Sequence, residues 1–187
     1  MLLFSRGRAP GCRRHAVACL LVALLGVHGC SPTFNWRELR PQGTPLQALM
    51  PCKPEHATRS VPLAGASVAM NLHSCDAGGL SFAVAWVELG DPRRVEAALV
   101  EWPRASMAAL RQDPALAERP EARWDFRLQG ASRTVGLAVQ GTGPQGQAVQ
   151  VRTAYFAQGS QVFQAVVYGQ RLPTDVTTTF FEGVHLP

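Results

Sequence analysis

Two cysteines and two histidines are the residues of this chain whose types and spacing could do chemistry. Cys52 and His56 are separated by three residues, and His73 and Cys75 by one. Two thiolates with two imidazoles are an accepted tetrahedral ligand set for zinc. The two cysteines are also an even pair, which is typical of a disulfide in an oxidising compartment. We predict a disulfide between Cys52 and Cys75, and a zinc site is the alternative.

Other motifs in the chain do not favour catalysis. The segment Gly141–Gly146 matches the G-x-G-x-x-G pattern of dinucleotide-binding loops. That pattern needs a following helix, whereas both flanks here alternate like strands, so we interpret the segment as a hairpin turn. The chain has no G-x-S-x-G nucleophile elbow, and beyond residue 30 its histidines are His56, His73 and His185. We therefore predict that the protein is not an enzyme and holds no cofactor and no metal ion.

The amino-terminal region is typical of an exported protein. Four arginines precede an apolar run from Ala16 to Val27, which is shorter than the roughly 20 residues needed to cross a bilayer. This arrangement predicts a secretory signal peptide. The residues Val27-His28-Gly29-Cys30 resemble the lipobox of bacterial lipoproteins. The resemblance implies that residues 1–29 are removed and that Cys30 is acylated, for example with palmitate, whereas a plain signal peptide with an incidental cysteine is the alternative.

Removing the signal peptide changes the charge balance of the chain. Of its 18 lysines and arginines, four arginines precede Cys30, and none of its 13 acidic residues does. The remaining 14 basic side chains nearly balance the 13 acidic ones, so the chain offers no basic footprint for nucleic acid. No later apolar run is long enough to span a membrane, which leaves the lipid on Cys30 as the predicted membrane attachment.

The pattern beyond Cys30 predicts a proline-rich, lipid-tethered linker over residues 30–56 and a single α+β domain over residues 57–187. A β pattern begins at Thr58–Leu63. Alternating apolar residues then predict six strands, over residues 67–75, 80–89, 124–128, 135–139, 149–155 and 162–168. We expect these strands to form one antiparallel sheet of about six strands.

Two helices are predicted to pack on this sheet. Asp91 and Pro92 have the residue types of a helix start, and apolar residues recur at helical spacing as far as Leu110. Pro103 is expected to kink or divide this helix near Trp102. A second helix is predicted near the C-terminus, with Thr174 or Asp175 as its cap.

The order of these elements resembles that of the PsbP-like family of lumenal and periplasmic proteins. Four features of residues 57–187 carry the resemblance: the early hairpin that ends with Leu80–Leu89, the crossing helix Val95–Leu110, the meander Trp124–Tyr168 and the closing segment Phe180–Val184. The resemblance implies an α/β/α sandwich and a mostly non-enzymatic accessory role.

Most aromatic residues of the chain fall at apolar-face positions and are expected in the core. Phe156 is the exception, since it lies on the opposite strand face from Val151 and Tyr155. It is expected to be exposed or to lie under a helix. Together with Arg152, which shares its face, it could line a concave ligand or partner surface.

These observations predict a periplasm-facing lipoprotein that acts as a non-catalytic accessory or protein-binding module for an envelope protein partner. Ser31 follows the lipobox cysteine, and resemblance to the enterobacterial sorting pattern implies the outer membrane. The alternative function is a small-molecule or metal-ion carrier with a pocket between sheet and helix. An envelope hydrolase is a third, weaker hypothesis.

Overall fold

The computed structural model describes residues 32–187, so the predicted signal peptide and Cys30 lie outside the described residues. Eight strands and two α-helices follow one another in this part of the chain. They are β1 (Arg37–Leu39), β2 (Ala48–Met50), β3 (Glu55–Leu63), β4 (Ala66–Ala77), β5 (Leu80–Glu88), α1 (Val95–Ala109), β6 (Arg133–Thr142), β7 (Ala148–Gln158), β8 (Gln161–Gly169) and α2 (Thr174–Glu182). Among residues 32–187, no helix combines the length and apolar character needed to cross a membrane.

Strands β3 to β8 form one antiparallel sheet in the order β3-β4-β5-β8-β7-β6, and β1 pairs with β2 in a separate two-stranded sheet. Helix α1 packs on one face of the large sheet. Helix α2 and the β1-β2 sheet pack on the other face. The predicted α+β fold, with one six-stranded antiparallel sheet and two main helices, is confirmed.

The central strand β5 is covered on both faces, which explains why its sequence is apolar almost throughout. Phe82 and Trp86 point to the α2 face, where Phe82 meets Phe180 with ring centroids 5.3 Å apart. Val87, which has the opposite parity, belongs to the core under α1, where Trp102 is also buried. Because successive side chains of a strand alternate between faces, a strand covered on both faces needs apolar residues at nearly every position.

The membership of the sheet differs from the prediction at one strand. The sixth strand is β3, and the segment Trp124–Leu128 is irregular. It follows an isolated bridge between Arg123 and Leu137 of β6. Its alternation has another cause: Trp124 and Phe126 both pack against Phe181 of α2. Trp124 and Phe126 therefore lie in a loop that packs on the core, and their spacing of two residues has the same period as a strand.

The folded unit also begins earlier than residue 57. Residues 33–187 form one compact unit, and the side chains of Leu46 and Met50 are almost completely buried in the core beneath α2. The backbone N–H of Asn35 donates a hydrogen bond to the Pro51 carbonyl at 2.7 Å, and the Phe34 ring packs edge-on against Phe82. Most of the segment predicted as linker is therefore part of the domain.

Both helices differ in detail from the prediction. Helix α1 runs without interruption through Pro103, since Trp102 and Met107 are buried on either side of the proline and hold both halves of the helix against the sheet. The start of this region is as predicted, with the Asp91 carboxylate accepting a hydrogen bond from the Arg93 N–H at 3.0 Å. Helix α2 is preceded by Pro173 as its cap, with no side-chain cap, so the prediction of Thr174 or Asp175 as the cap is wrong.

Candidate functional site

The two predicted cysteines lie together in the structure. Cys52 and Cys75 form a disulfide with Cα atoms 6.0 Å apart, and the two cysteines are 23 positions apart along the chain. The pair connects the segment before β3 to the end of β4. A thiolate zinc site would need both sulfurs free, and among residues 32–187 no group of three or more histidine, cysteine or acidic side chains could hold a metal ion.

The hairpin between β3 and β4 brings the two histidines together beside this disulfide. Its loop is Ala64-Gly65, with φ of 50° and 77°, the left-handed conformation of the two-residue turns that join strands tightly. The turn sets a register in which His56 lies directly opposite His73. Their rings stack with centroids 4.6 Å apart at 25°.

A tryptophan extends this pair inward. The ring of His73 stacks on Trp86 of β5, with centroids 5.6 Å apart and planes within 7°. Trp86 is buried, His73 is half-buried and His56 is exposed. Burial, and then the neighbouring charge of His56, lowers the pKa of His73 below its usual value. We call His56, His73 and Trp86 the histidine stack.

A second candidate region lies on the same face near the opposite edge of the sheet, where the guanidinium of Arg152 covers the ring of Trp124 at 4.5 Å from its centroid. Trp124 is itself fixed, because its indole N–H donates to the Thr153 carbonyl at 3.1 Å and its ring packs on Phe181 at 5.0 Å. Arg152 is half-buried, and none of the ion pairs formed within residues 32–187 includes it.

Arg152 faces a groove of about 380 Å³ between the sheet and the start of α2. We call this the Arg152 groove; its lining residues are Ala138, Val139, Gln140, Gln150, Val151, Arg152, Leu172, Thr174 and Thr177. Arg152 is the one charged residue in this set. The Gln150 side chain is held in place because its Oε1 accepts a hydrogen bond from the Leu172 N–H at 3.2 Å.

The chemistry of this groove is recognition of an anion. A guanidinium stacked on an aromatic ring keeps its N–H edge free, and that edge matches the two oxygens of a carboxylate or a phosphate. Stacking also restricts the side chain in advance, so less conformational freedom is lost when a ligand binds. The groove therefore presents one oriented cation among amides, hydroxyls and aliphatic groups.

The sequence anticipated only part of this groove. Of the two places predicted for Phe156, exposed or under a helix, the structure has the second: Phe156 is fully buried in the core beneath α2 and stacks on Phe163 at 5.1 Å. It does not line the groove, which Arg152 does. Nothing in the sequence links Trp124 to Arg152, so the sequence does not predict the stacking of the guanidinium on this ring. The segment Gly141–Gly146 contains the last two residues of β6 and the turn that leads to β7, consistent with the predicted hairpin turn.

No protein-family model and no curated protein matches this chain. Among solved structures, the chain is similar to the crystal structure of PA94, a protein of unknown function from Pseudomonas aeruginosa. The two are 14% identical, the match covers 77% of this chain and 88% of that chain, and the TM-score is 0.34. A likeness at this level supports no conclusion about what this chain does.

Proposed function

We propose that the protein is a lipid-anchored, non-catalytic binding module of the cell envelope, which holds a carboxylate of a protein partner in the Arg152 groove. The observation that carries the proposal is the Arg152 guanidinium, stacked on Trp124 at 4.5 Å and free of any ion pair within residues 32–187. The lipobox resemblance at Cys30 supports attachment by a lipid, and Ser31 after it supports the periplasmic face of the outer membrane.

A binding role fits the lining of the groove better than a catalytic one. General acid–base chemistry needs a group that exchanges a proton near neutral pH, and covalent catalysis needs a nucleophile with an adjacent base. The residues that line the groove include no histidine, cysteine, aspartate or glutamate. They can orient and retain a ligand, but none of them is suited to activate it.

The energetic reason for an anionic partner is the state of Arg152 itself. A half-buried guanidinium has lost part of its hydration, and within the described residues no carboxylate replaces it. A hydrogen bond to a charged group contributes about 1.5–3 kcal/mol, and a bidentate contact also fixes the orientation of the bound group. A terminal carboxylate or an acidic side chain of a partner would supply both.

A small carboxylate-bearing molecule is the second candidate occupant. The groove, at about 380 Å³, falls within the roughly 300–1,000 Å³ of small-molecule sites. This alternative keeps the same recognition chemistry and makes the protein a carrier, with its pocket between sheet and helix.

Crosslinking in the intact envelope tests the proposal. A photoreactive amino acid at Thr174, which is exposed and lines the groove, should capture a protein partner. The same amino acid at Ala105, exposed on α1 across the sheet, is the control. R152Q should reduce the Thr174 crosslink at least tenfold, whereas R127Q should not, since Arg127 is exposed and pairs with Asp125.

Three outcomes of this experiment have different meanings. A crosslink that depends on Arg152 supports the partner-binding module. A small acid that copurifies with the wild-type protein, is absent from R152Q and leaves no protein crosslink favours the carrier. Equal crosslinking from Thr174 and Ala105, with no dependence on Arg152, would overturn the assignment of the groove.

The anchor is tested separately from the groove. Mass spectrometry of the wild-type N-terminus should show a diacylglyceryl-modified cysteine, and Cys30→Ser in the full-length protein should abolish this modification together with the removal of residues 1–29. An unmodified Cys30 would contradict the lipoprotein assignment and leave the groove proposal intact.

A further inference from the structure

We propose that His56 and His73 form a binding site for a divalent transition-metal ion, with copper(II) bound most tightly. The two side chains lie opposite each other on adjacent strands, share a face of the sheet, and stack with ring centroids 4.6 Å apart. The proposal is independent of the Arg152 groove.

The register of the hairpin favours a close approach of these two side chains. The pair Leu63 and Ala66 closes the two-residue turn, and pairs along an antiparallel ladder alternate between hydrogen-bonded and non-hydrogen-bonded. His56 lies an odd number of residues before Leu63, so its pairing with His73 is of the non-hydrogen-bonded kind. In such pairs the Cα atoms are only about 4.5 Å apart and the side chains are closest.

The separation of the rings matches that of two imidazoles on one ion. A metal–nitrogen bond of about 2.0–2.1 Å places each ring centroid roughly 3.2 Å from the metal, so two rings at an angle of about 90–110° have centroids roughly 4.5–5.2 Å apart. The observed distance is 4.6 Å. Binding would require each imidazole to turn about its side-chain torsions so that one of its nitrogens faces the shared ion.

The donor set selects the class of ion. Two imidazoles suit zinc, copper and nickel, whereas calcium and magnesium require oxygen ligands. The stability order of divalent ions puts copper(II) first for a nitrogen site. The sulfurs of Cys52 and Cys75 are occupied by their disulfide, so they do not compete as thiolates, and the exposed position of His56 leaves room for water as the remaining ligands.

Trp86 restricts the orientation of His73 and provides a fluorescence signal for metal binding. Its ring lies parallel to His73 at 5.6 Å and is buried, so it limits the orientations of that imidazole. A copper(II) ion bound to His73 would lie close to this indole and quench its fluorescence. Quenching that follows the binding stoichiometry therefore reports occupancy of this site.

Titration of the full-length protein in detergent with copper(II) chloride and nickel(II) chloride tests the proposal. Calorimetry should show one copper per chain, electron paramagnetic resonance should show nitrogen ligands, and tryptophan fluorescence should fall in parallel. His56→Asn and His73→Asn should each weaken copper binding at least tenfold and remove the quenching. His185→Asn removes an exposed imidazole elsewhere and should leave binding unchanged.

The exposed His56 is the decisive position, because its replacement should preserve the fold, as circular dichroism can verify. Copper binding that persists in His56→Asn, or that is lost in His185→Asn, would overturn the proposal. Binding that appears only after the disulfide is reduced would also overturn it and would indicate thiolate ligands instead.

Discussion

The histidine stack and the Arg152 groove lie on the same face of one sheet, but they are assembled in different ways. The stack combines a tight hairpin with the next strand, and all its residues come from β3, β4 and β5. The groove needs the loop that contains Trp124, strands β6 and β7, and the start of α2. Pairing of neighbouring strands is thus enough to form the histidine stack, whereas the Arg152 groove exists only once the whole fold has formed.

The largest expected effect concerns the covalent bond beside the histidine stack. Replacing both Cys52 and Cys75 with serine should lower the free energy of unfolding by about 3 kcal/mol, since the bond spans 23 residues and restricts the unfolded chain. Urea denaturation of wild type, with and without reductant, gives the measurement. A loss below about 1 kcal/mol would indicate that the thiols are not paired in the native protein.

The next effect concerns the support of the Arg152 groove. Trp124→Ala should cost about 2 kcal/mol of stability, less than the 3–5 kcal/mol typical of a fully buried tryptophan, because Trp124 is half-buried. It should also weaken the groove crosslink as strongly as R152Q does. Trp124→Phe keeps a ring under the guanidinium, so it should retain most of the stability and most of the crosslink. Full crosslinking in the folded Trp124→Ala variant would show that the Trp124 ring does not position Arg152.

A smaller effect separates charge from stacking at Arg152. R152K keeps the positive charge but loses the planar, bidentate donor, so we expect at least a fivefold weaker crosslink. Its thermal stability should change by no more than about 1 kcal/mol, the usual size of a partly exposed cation–π contact. R127K provides the matched control, because the Arg127 side chain is 86% exposed. Equal crosslinking in R152K and wild type would show that only the positive charge at position 152 matters for binding, and not the planar guanidinium.

The smallest effect is the pH dependence contributed by the histidine stack. Because the pKa of His73 is lower in the folded state, the unfolded chain binds more protons as pH falls below about 6.5, so stability decreases. Urea midpoints at pH 7.5 and 5.5, measured with a chelator present, should show this decrease in wild type and a weaker one in His73→Gln. His185→Gln should show the same decrease in the urea midpoint as wild type. A smaller decrease in His185→Gln would contradict the assignment of the pH dependence to His73.

The sequence predicts well where a feature depends on neighbours in the chain. The alternation over residues 67–75 and 80–89 predicts the hairpin of β4 and β5, and the even pair of cysteines predicts the disulfide between Cys52 and Cys75. The nearly continuous apolar run of β5 indicates a central strand covered on at least one face, and in the structure both faces are covered. These features need only local geometry and the general requirement to bury apolar surface.

Prediction fails where distant segments meet. Trp124 and Phe126 alternate as a strand would, but their spacing serves contact with Phe181 of α2. Likewise, residues 33–56 look like a linker because of their prolines, although Leu46 and Met50 fill the core under α2. No local period encodes either contact, so the partner of Arg152 could not be identified before the fold was known.

The early start of the folded unit limits how far the protein could reach. Phe34 already packs on Phe82, which leaves Ser31, Pro32 and Thr33 between the core and the proposed acylated residue. Four chain steps extend at most about 14 Å. A domain attached to a leaflet in this way would stay at the lipid surface, so it could meet only proteins that come to that surface, and lateral diffusion in the membrane would set how often it meets them.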